Sequence, residues 1–316
     1  MEDIIGRYAE HSSRTPYEMA VRSASIKHLG PEFGRQGLFL LTTCLRVELY
    51  GLRSVVDRFS SLIFPTEQFV EICGAASITQ RLAELSAGLH SQILGENYIS
   101  HQIEGALSNL PANNPIHSLA LLAIDVGRAA RVRQHFIASL NYDAIVRKII
   151  EDSYQANECP SDLYIVGAGM LGRELIAREL GPRFPSRTLV TRNPKNLKKK
   201  LKLSDPAIAY ARIKDLENKT TPGSAVVIAT TEVTDEYRAM LERWITELEP
   251  RVIIELSSIP VLTSFSGNTE RYVTMYGDRF LSFVLENNQQ LAPLKDELHN
   301  QIATILSTAA GYLRAA

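Results

Sequence analysis

Cysteine is scarce in these 316 residues: Cys44, Cys73 and Cys159 are the whole set, an odd number with no C-x-x-C spacing. That count excludes a disulfide framework and a structural zinc site, and it fits a reducing compartment. Long apolar runs are missing as well. Nowhere do about 18 consecutive apolar residues occur, and the N-terminal MEDIIGRYAEH is acidic without an apolar stretch, so neither a membrane span nor a secretory signal is expected. The expected location is cytoplasmic. Excess charge is also absent, since 34 Lys and Arg stand against 35 Asp and Glu for a net charge of -1. A global polyanion-binding surface is excluded, although a local basic patch is not. What remains is a chain that is 45% hydrophobic and long enough for two domains with separate cores.

The middle of the chain is the most legible. LYIVGAGMLGRELIAREL (163–180) passes from a short apolar strand through a glycine turn into a stretch with helical apolar spacing. RTLVTRN (187–193), SAVVIATT (224–231) and RVIIELSS (251–258) follow as apolar runs suited to parallel strands buried on both faces. Strands alternating with helical stretches predict a doubly wound, Rossmann-type α/β domain. The first 135 residues differ. GLFLLTTCLRVELYG predicts a strand or hairpin, ASITQRLAELSAGLHSQILGENYISHQIEGALSNL is largely helical, and SNLPANNPI turns the chain into HSLALLAIDVGRAARVRQHF. This predicts an N-terminal α+β domain over 1–136, the doubly wound domain over 137–278, and an amphipathic helix over 279–316 broken near Pro293.

Gly167, Gly169 and Gly172 fit G-x-G-x-x-G directly after a strand and at the opening of a helix. There the first glycine permits the turn, the second lets backbone approach a pyrophosphate, and the third lets helix pack on strand. An NAD site usually carries an acidic residue at the end of the second strand; here stand Thr191, Arg192 and Asn193, with Lys195 close behind. Cationic groups favour a 2'-phosphate, so the expected cofactor is NADPH. Lys198, Lys199 and Lys200 read more simply as a solvated helix face.

Cys44, in LLTTCLRVELYG, has two readings. A cysteine ending an apolar strand is commonly just a small buried residue. An adjacent arginine could instead lower its pKa and make a thiolate, which beside NADPH would permit capture of an activated acyl group as a thioester and its reduction to an aldehyde.

The segment LTTCLRVELYG resembles the S-T-C-N-R-x-E-x-Y stretch of glutamyl-tRNA reductases, with Thr43, Cys44, Arg46, Glu48 and Tyr50 matching. SAGLHSQILGENYISHQIEGAL is similar to that family's S-G-L-[DE]-S-x-[IV]-x-G-E-x-x-I-x-x-Q segment, with Gly88, Leu89, Ser91, Gly95, Glu96, Ile99 and Gln102 matching. GRAARVR, ASLNYDAIV and HSSRTPYEMAVR carry weaker likeness, so the resemblance runs over roughly 5–290. It implies an enzyme in which the cysteine attacks glutamyl-tRNA, releases the tRNA and holds a thioester that NADPH reduces to glutamate-1-semialdehyde for tetrapyrrole synthesis. Carried over, Cys44 is the nucleophile and Arg46 holds a substrate carboxylate. Thr43 lines the substrate site, Ser91 and Gln102 contact the aminoacyl group, and Glu48 and Glu96 organise the pocket. The implied partner is a charged tRNA, with Arg128, Arg131, Arg133 and Lys148 as candidate phosphate contacts.

This sequence departs from the family pattern at three places. Leu45 stands where the family has Asn. Arg81 stands where it has a histidine, which leaves His11, His90 and His101 as substitutes. The chain also ends at Ala316 without the family's dimerisation domain, so a monomer or a non-standard dimer is expected, with Phe280, Phe283, Val284, Leu291, Leu294, Leu298, Ile302 and Ile305 packing back on the chain. These departures leave three alternatives beside the glutamyl-tRNA reductase: a reductase of another aminoacyl-tRNA, a non-catalytic relative acting as regulator or scaffold, and a shikimate-type dehydrogenase that shares only the cofactor domain.

Overall fold

The structure is a computed structural model. It describes residues 3–10, 15–65, 68–154, 162–177, 184, 186–201, 208–216, 221, 223–230, 233–263, 265 and 270–315. The chain divides into two compact units, Met1–Ser139 with Glu286–Ala316, and Leu140–Leu285.

The first unit is built on a four-stranded antiparallel sheet in the order β2-β3-β1-β4. In chain order its elements are β1 (Ile4–Glu10), α1 (Pro16–Lys27), α2 (Gly30–Arg35), β2 (Phe39–Thr43), β3 (Arg46–Leu52), α3 (Arg53–Ile63), β4 (Val70–Cys73), α4 (Ala75–Ser86), α5 (Tyr98–Leu107) and α6 (Pro115–Arg133). Alternation along the strands sends Ile5, Leu40, Val47 and Leu49 to one face, where they form a core with Met19, Ile26, Phe33, Val56 and Ile63 of α1–α3. Phe39, Leu41 and Tyr50 go to the other face, against Ile78, Leu82, Ile99, Ile103 and Ile124 of α4–α6. The α1 start is fixed by a capping box, with Thr15 accepting from the Glu18 amide and Glu18 from the Thr15 amide. Asn114 caps α6, whose first residue is Pro115, a position where the missing N–H costs no hydrogen bond.

The second unit continues with α7 (Tyr142–Ser153), β5 (Asp162–Val166), α8 (Met170–Ala177), β6 (Ser186–Val190), α9 (Pro194–Leu201), β7 (Ile208–Ala211), β8 (Ala225–Ile228), α10 (Asp235–Leu248), β9 (Val252–Glu255), β10 (Tyr272–Thr274) and α11 (Asp278–Leu291). Its six strands are all parallel, in the order β10-β9-β8-β5-β6-β7. The doubly wound prediction is met, with the strand order reversing between β5 and β8. Strands buried on both faces explain the uninterrupted apolar runs: Val226, Ile228 and Val166 meet Leu241, Trp244 and Ile245 of α10 on one side.

The predicted break near Pro293 is also present. A short 3-10 turn, Ala292–Leu294, separates α11 from α12 (Lys295–Ala315). Leu291, Leu298 and Ile302 are buried in the first unit's core beside Ile78 and Leu82, so this segment packs on the α4–α6 side of its own unit. Asn287 Nδ2 donates to the Leu94 carbonyl, and the Asn288 side chain accepts from the Leu94 amide.

Candidate functional site

Cys44 and Leu45 form the two-residue turn between β2 and β3, with Thr43 and Arg46 as the last paired residues. Two-residue hairpins usually rely on glycine or asparagine at positive φ; here both residues keep negative φ, and other bonds hold the turn. Ser23 Oγ on α1 donates to both the Thr43 and Arg46 carbonyls, and Thr43 Oγ1 accepts from the Leu45 amide at 3.2 Å. Leu45 is buried, while Cys44 is partly exposed. The expected thiol-lowering effect of the arginine is present but outweighed. Burial pushes the Cys44 pKa up to about 11, Arg46 pulls it back, and the Glu96 carboxylate adds to the rise. The thiol is neutral at neutral pH.

Opposite residues of an antiparallel pair share a face, so Thr43, Arg46 and Glu10 lie in one row across β2, β3 and β1. Glu48 and Tyr8 form the next row. Arg81 reaches this face from α4. Its Nη2 donates to Glu48 Oε1 at 2.7 Å and also to Glu10, and its guanidinium stacks 4.0 Å from the Tyr8 ring centre. Arg46 Nε stands 3.7 Å from Glu48 and 3.8 Å from Glu10, and its Nη2 donates to the His90 carbonyl. Tyr50 donates its hydroxyl to Glu48, which is 0% exposed. Burial opposes the Arg81 charge, yet Glu48, Tyr50 and Glu10 hold that guanidinium more firmly protonated than usual. Burial likewise acts to raise the Glu10 carboxyl, but Arg81, by charge and hydrogen bond, and Arg46 bring it below its usual range.

The fold gives each of the expected site residues a specific setting. Arg46 is 2% exposed, and its Nε lies 3.7 and 3.8 Å from two carboxylates without a hydrogen bond to either. The residue at the family's histidine position, Arg81, joins a charge cluster and has no proton to give near neutrality. Glu96 caps α5: it accepts from the Tyr98 and Ile99 amides and from Ser91 Oγ at 2.7 Å, and burial raises its carboxyl pKa despite these bonds. Ser91 is thereby engaged with Glu96. Gln102 is exposed, because Ile99, Ile103 and Leu107 take the buried stripe of α5, and it does not join this cluster.

Of the substitute histidines, His101 is exposed on α5 with Nδ1 at 3.1 Å from the Asn97 carbonyl, and His11 lies outside the described residues. His90 is joined to the cluster by its carbonyl, and its Nε2 faces Glu84 Oε2 at 3.0 Å. No sequence motif signals that Glu84 also meets His299 of α12, at 2.8 Å. Three of the four candidate phosphate contacts are engaged within the protein: Arg128 with Glu104, Arg131 with the Glu96 carbonyl, and Lys148 over the Phe283 ring. Among the described residues no group of three His, Cys, Asp or Glu side chains is placed to hold a metal ion.

In the second unit the glycine turn leads from β5 into α8. Gly167 has φ +113, and a Cβ there would stand 2.5 Å from the Ala229 carbonyl oxygen. A Cβ on Gly172 would stand 1.9 Å from the Gly167 oxygen, whereas one on Gly169 would meet nothing within 4 Å. The first and third glycines are thus required by close backbone packing, and the second leaves open the space that a phosphate would enter. A cleft of about 450 Å³ lies here, at the carboxyl ends of β5, β6 and β8, lined among others by Gly167, Gly169, Thr191, Arg192, Thr234 and Tyr237. Its floor sits at the strand-order reversal, where open α/β sheets bind ligands. Arg192 and Lys195 are exposed, and Arg192 lowers the Tyr237 hydroxyl pKa against a larger rise from burial. Asn193 is used locally, accepting from the Asn196 amide at the start of α9. These residues fit a dinucleotide, with amides of the glycine turn and α8 for the pyrophosphate.

Residues 10–134 match the family described as "Glutamyl-tRNAGlu reductase, N-terminal domain". The chain belongs to the glutamyl-tRNA reductase-related family that this domain defines. Within it the chain is 42% identical over 311 residues to Protein nfe2 of Rhizobium meliloti, covering 98% of this chain and 100% of that one. A glutamyl-tRNA reductase of Thermosipho melanesiensis is 26% identical over 140 residues, which is 43% of this chain and 36% of that enzyme. Among solved structures, glutamyl-tRNA reductase from Methanopyrus kandleri superposes with TM-score 0.51 at 18% identity, over 99% of this chain and 81% of that one. That likeness establishes a shared fold. No helix among the described residues is long and apolar enough to cross a membrane.

Proposed function

We propose that the protein is an NADPH-dependent aminoacyl-tRNA reductase that works through a thioester on Cys44. The observation that carries this reading is the presentation of a partly exposed cysteine at the tip of the β2–β3 hairpin, in a turn pinned by Ser23. The family match over 10–134 and the intact glycine cradle support it.

In the first step the Cys44 sulfur attacks the ester carbonyl. A C–S bond forms, the ester C–O bond breaks, and the thiol proton passes to the departing ribose oxygen of the tRNA. A thiol held near 11 is about one part in ten thousand ionised at pH 7, so it must lose its proton as the ester arrives. Nicotinamide, when bound, supplies the hydride that reduces the thioester carbon. The C–S bond then breaks, the aldehyde leaves, and the sulfur takes up a proton. Gly167, Gly169 and the first amides of α8 would hold the pyrophosphate, and Thr191, Arg192 and Lys195 would meet the 2'-phosphate. With a glutamyl group the product is glutamate-1-semialdehyde, the entry to tetrapyrroles.

A second reading, a non-catalytic relative that retains nucleotide or tRNA binding, is favoured by one observation: Arg81 stands at the family's histidine position and is locked to Glu10 and Glu48. Intact-mass analysis of protein mixed with a panel of charged tRNAs, without NADPH, separates the two. An acyl adduct that Cys44→Ser abolishes, followed by aldehyde formation when NADPH is added, supports the enzyme. Absence of adduct with every aminoacyl-tRNA overturns it.

A further inference from the structure

The cleft of the second unit has a wall that the glycine turn does not account for. Besides that turn and the end of β6, it is lined by Val233, Thr234 and Tyr237 at the start of α10. Thr234 Oγ1 accepts from the Tyr237 amide at 3.3 Å, which fixes the first turn of the helix. Tyr237 then heads the stripe that runs through Leu241, Trp244 and Ile245 into the core, while Asp235 and Glu236 beside it are exposed. The phenol is partly buried, packed on that core and lining the cleft at once. None of the hydrogen bonds or ion pairs among the described residues takes in the Tyr237 hydroxyl, the Arg192 guanidinium or the Lys195 ammonium. Arg192 is nevertheless near enough to act on the phenol, pulling its pKa down against the larger rise from burial.

An aromatic ring and an uncommitted cation therefore border the cleft together, at the strand end where the adenosine side of a dinucleotide falls. A phosphate alone would call for the turn amides and the cations. A ring turned to the same space adds a surface for a flat, uncharged group, and on this side of the pyrophosphate that group is a purine.

We propose that Tyr237 is an adenine-binding residue, its ring the surface on which the purine of the cofactor stacks, with Arg192 beside it for the 2'-phosphate. This rests on the dinucleotide reading above and adds to it a side chain from α10, outside both the glycine turn and the end of β6. The ring carries the role and the hydroxyl is dispensable.

Two measurements test this. In the first, calorimetric titration gives the Kd of NADPH and of 2',5'-ADP for wild type, Tyr237→Phe and Tyr237→Leu. Tyr237→Phe keeps the ring and should bind both ligands as wild type does. Tyr237→Leu keeps an apolar side chain on the core but loses the ring, and should weaken both by about tenfold, as loss of one base-aromatic stack gives. Unchanged NADPH binding by Tyr237→Leu overturns the assignment and leaves the cofactor reading intact. Equal losses in the two variants overturn it as well, because the hydroxyl would then carry the effect. The second measurement needs no variant. Wild-type protein is nitrated with tetranitromethane, with and without 2',5'-ADP at ten times its Kd, and each tyrosine is followed by peptide mass. Nitration at Tyr237 should slow about tenfold, in step with the fraction of sites left empty. Tyr17, half exposed in the first unit, should be unaffected. A Tyr237 that the reagent does not reach in the free protein, or reaches equally with nucleotide bound, overturns the assignment. Failure of wild type to bind either ligand overturns the dinucleotide reading and this assignment with it.

Discussion

Around Cys44 the working parts are side chains gathered from β1, β2, β3 and α4. At the glycine turn they are backbone atoms of one continuous stretch. The first arrangement ties Glu10, Arg46, Glu48 and Arg81 into a cluster in which each charge answers another, so each residue's role depends on partners up to 71 positions away. The second needs only that Gly167 and Gly172 lack a Cβ where backbone closes on them and that Gly169 leaves its space open. A site of paired side chains can be retuned by a change at any member. A site of backbone is either kept or lost.

That contrast can be broken most sharply at Glu48. Removing its carboxylate by Glu48→Ala leaves Arg81 and the Tyr50 hydroxyl buried without their shared acceptor and Arg46 without a buried counter-charge. The expected loss is about 3–5 kcal/mol of stability, measured by urea unfolding. A loss under about 1 kcal/mol would mean that Glu10 alone can balance both arginines.

The glycines give the next largest effect. Gly172→Ala places a methyl 1.9 Å from the Gly167 oxygen, so backbone must move, at a cost of about 1–3 kcal/mol or more. Gly169→Ala meets open space and should leave stability within about 0.5 kcal/mol, while weakening NADPH binding in a fluorescence titration. Equal binding by the Gly169→Ala protein and wild type would show that no phosphate approaches there.

The smallest effect is the pH dependence of two carboxyls of opposite environment. Glu10 is held below its ordinary 4.5, so its contribution is full above that value and fades as pH falls through the lower folded value. Glu255 is raised by burial, against the bonds it accepts from Tyr272, Val261 and Leu262, so its contribution is full below 4.5 and fades as pH rises through the higher folded value. Unfolding free energies between pH 3 and 7 should therefore show wild type gaining on Glu10→Gln with rising pH and losing on Glu255→Gln. The two differences should change with pH in opposite directions. Curves of the same sign would remove the distinction.

Much of the fold was legible in local pattern. Uninterrupted apolar runs marked β5, β6, β8 and β9, G-x-G-x-x-G marked the turn into α8, and Pro293 marked the break before α12. Each of these is decided within a few residues. The Cys44 site was legible only as a list of residue types. Glu96 and Ser91 matched the family segment, yet they pair with each other at the start of α5. Gln102 matched too, and the buried stripe of its helix turns it outward. Arg81 read as the loss of a histidine, whereas in the fold it is the clamp between Glu10 and Glu48.

The sequence by itself determined that a parallel sheet with a glycine turn follows an N-terminal domain carrying Cys44, because strand burial and glycine geometry are local consequences of residue type. Only the tertiary structure decided the state of that cysteine. Its pKa rise comes from desolvation by the surrounding fold, which Arg46 offsets only in part, and the neutral charge balance of the neighbouring cluster comes from strand register and one turn of α4, which no spacing along the chain expresses.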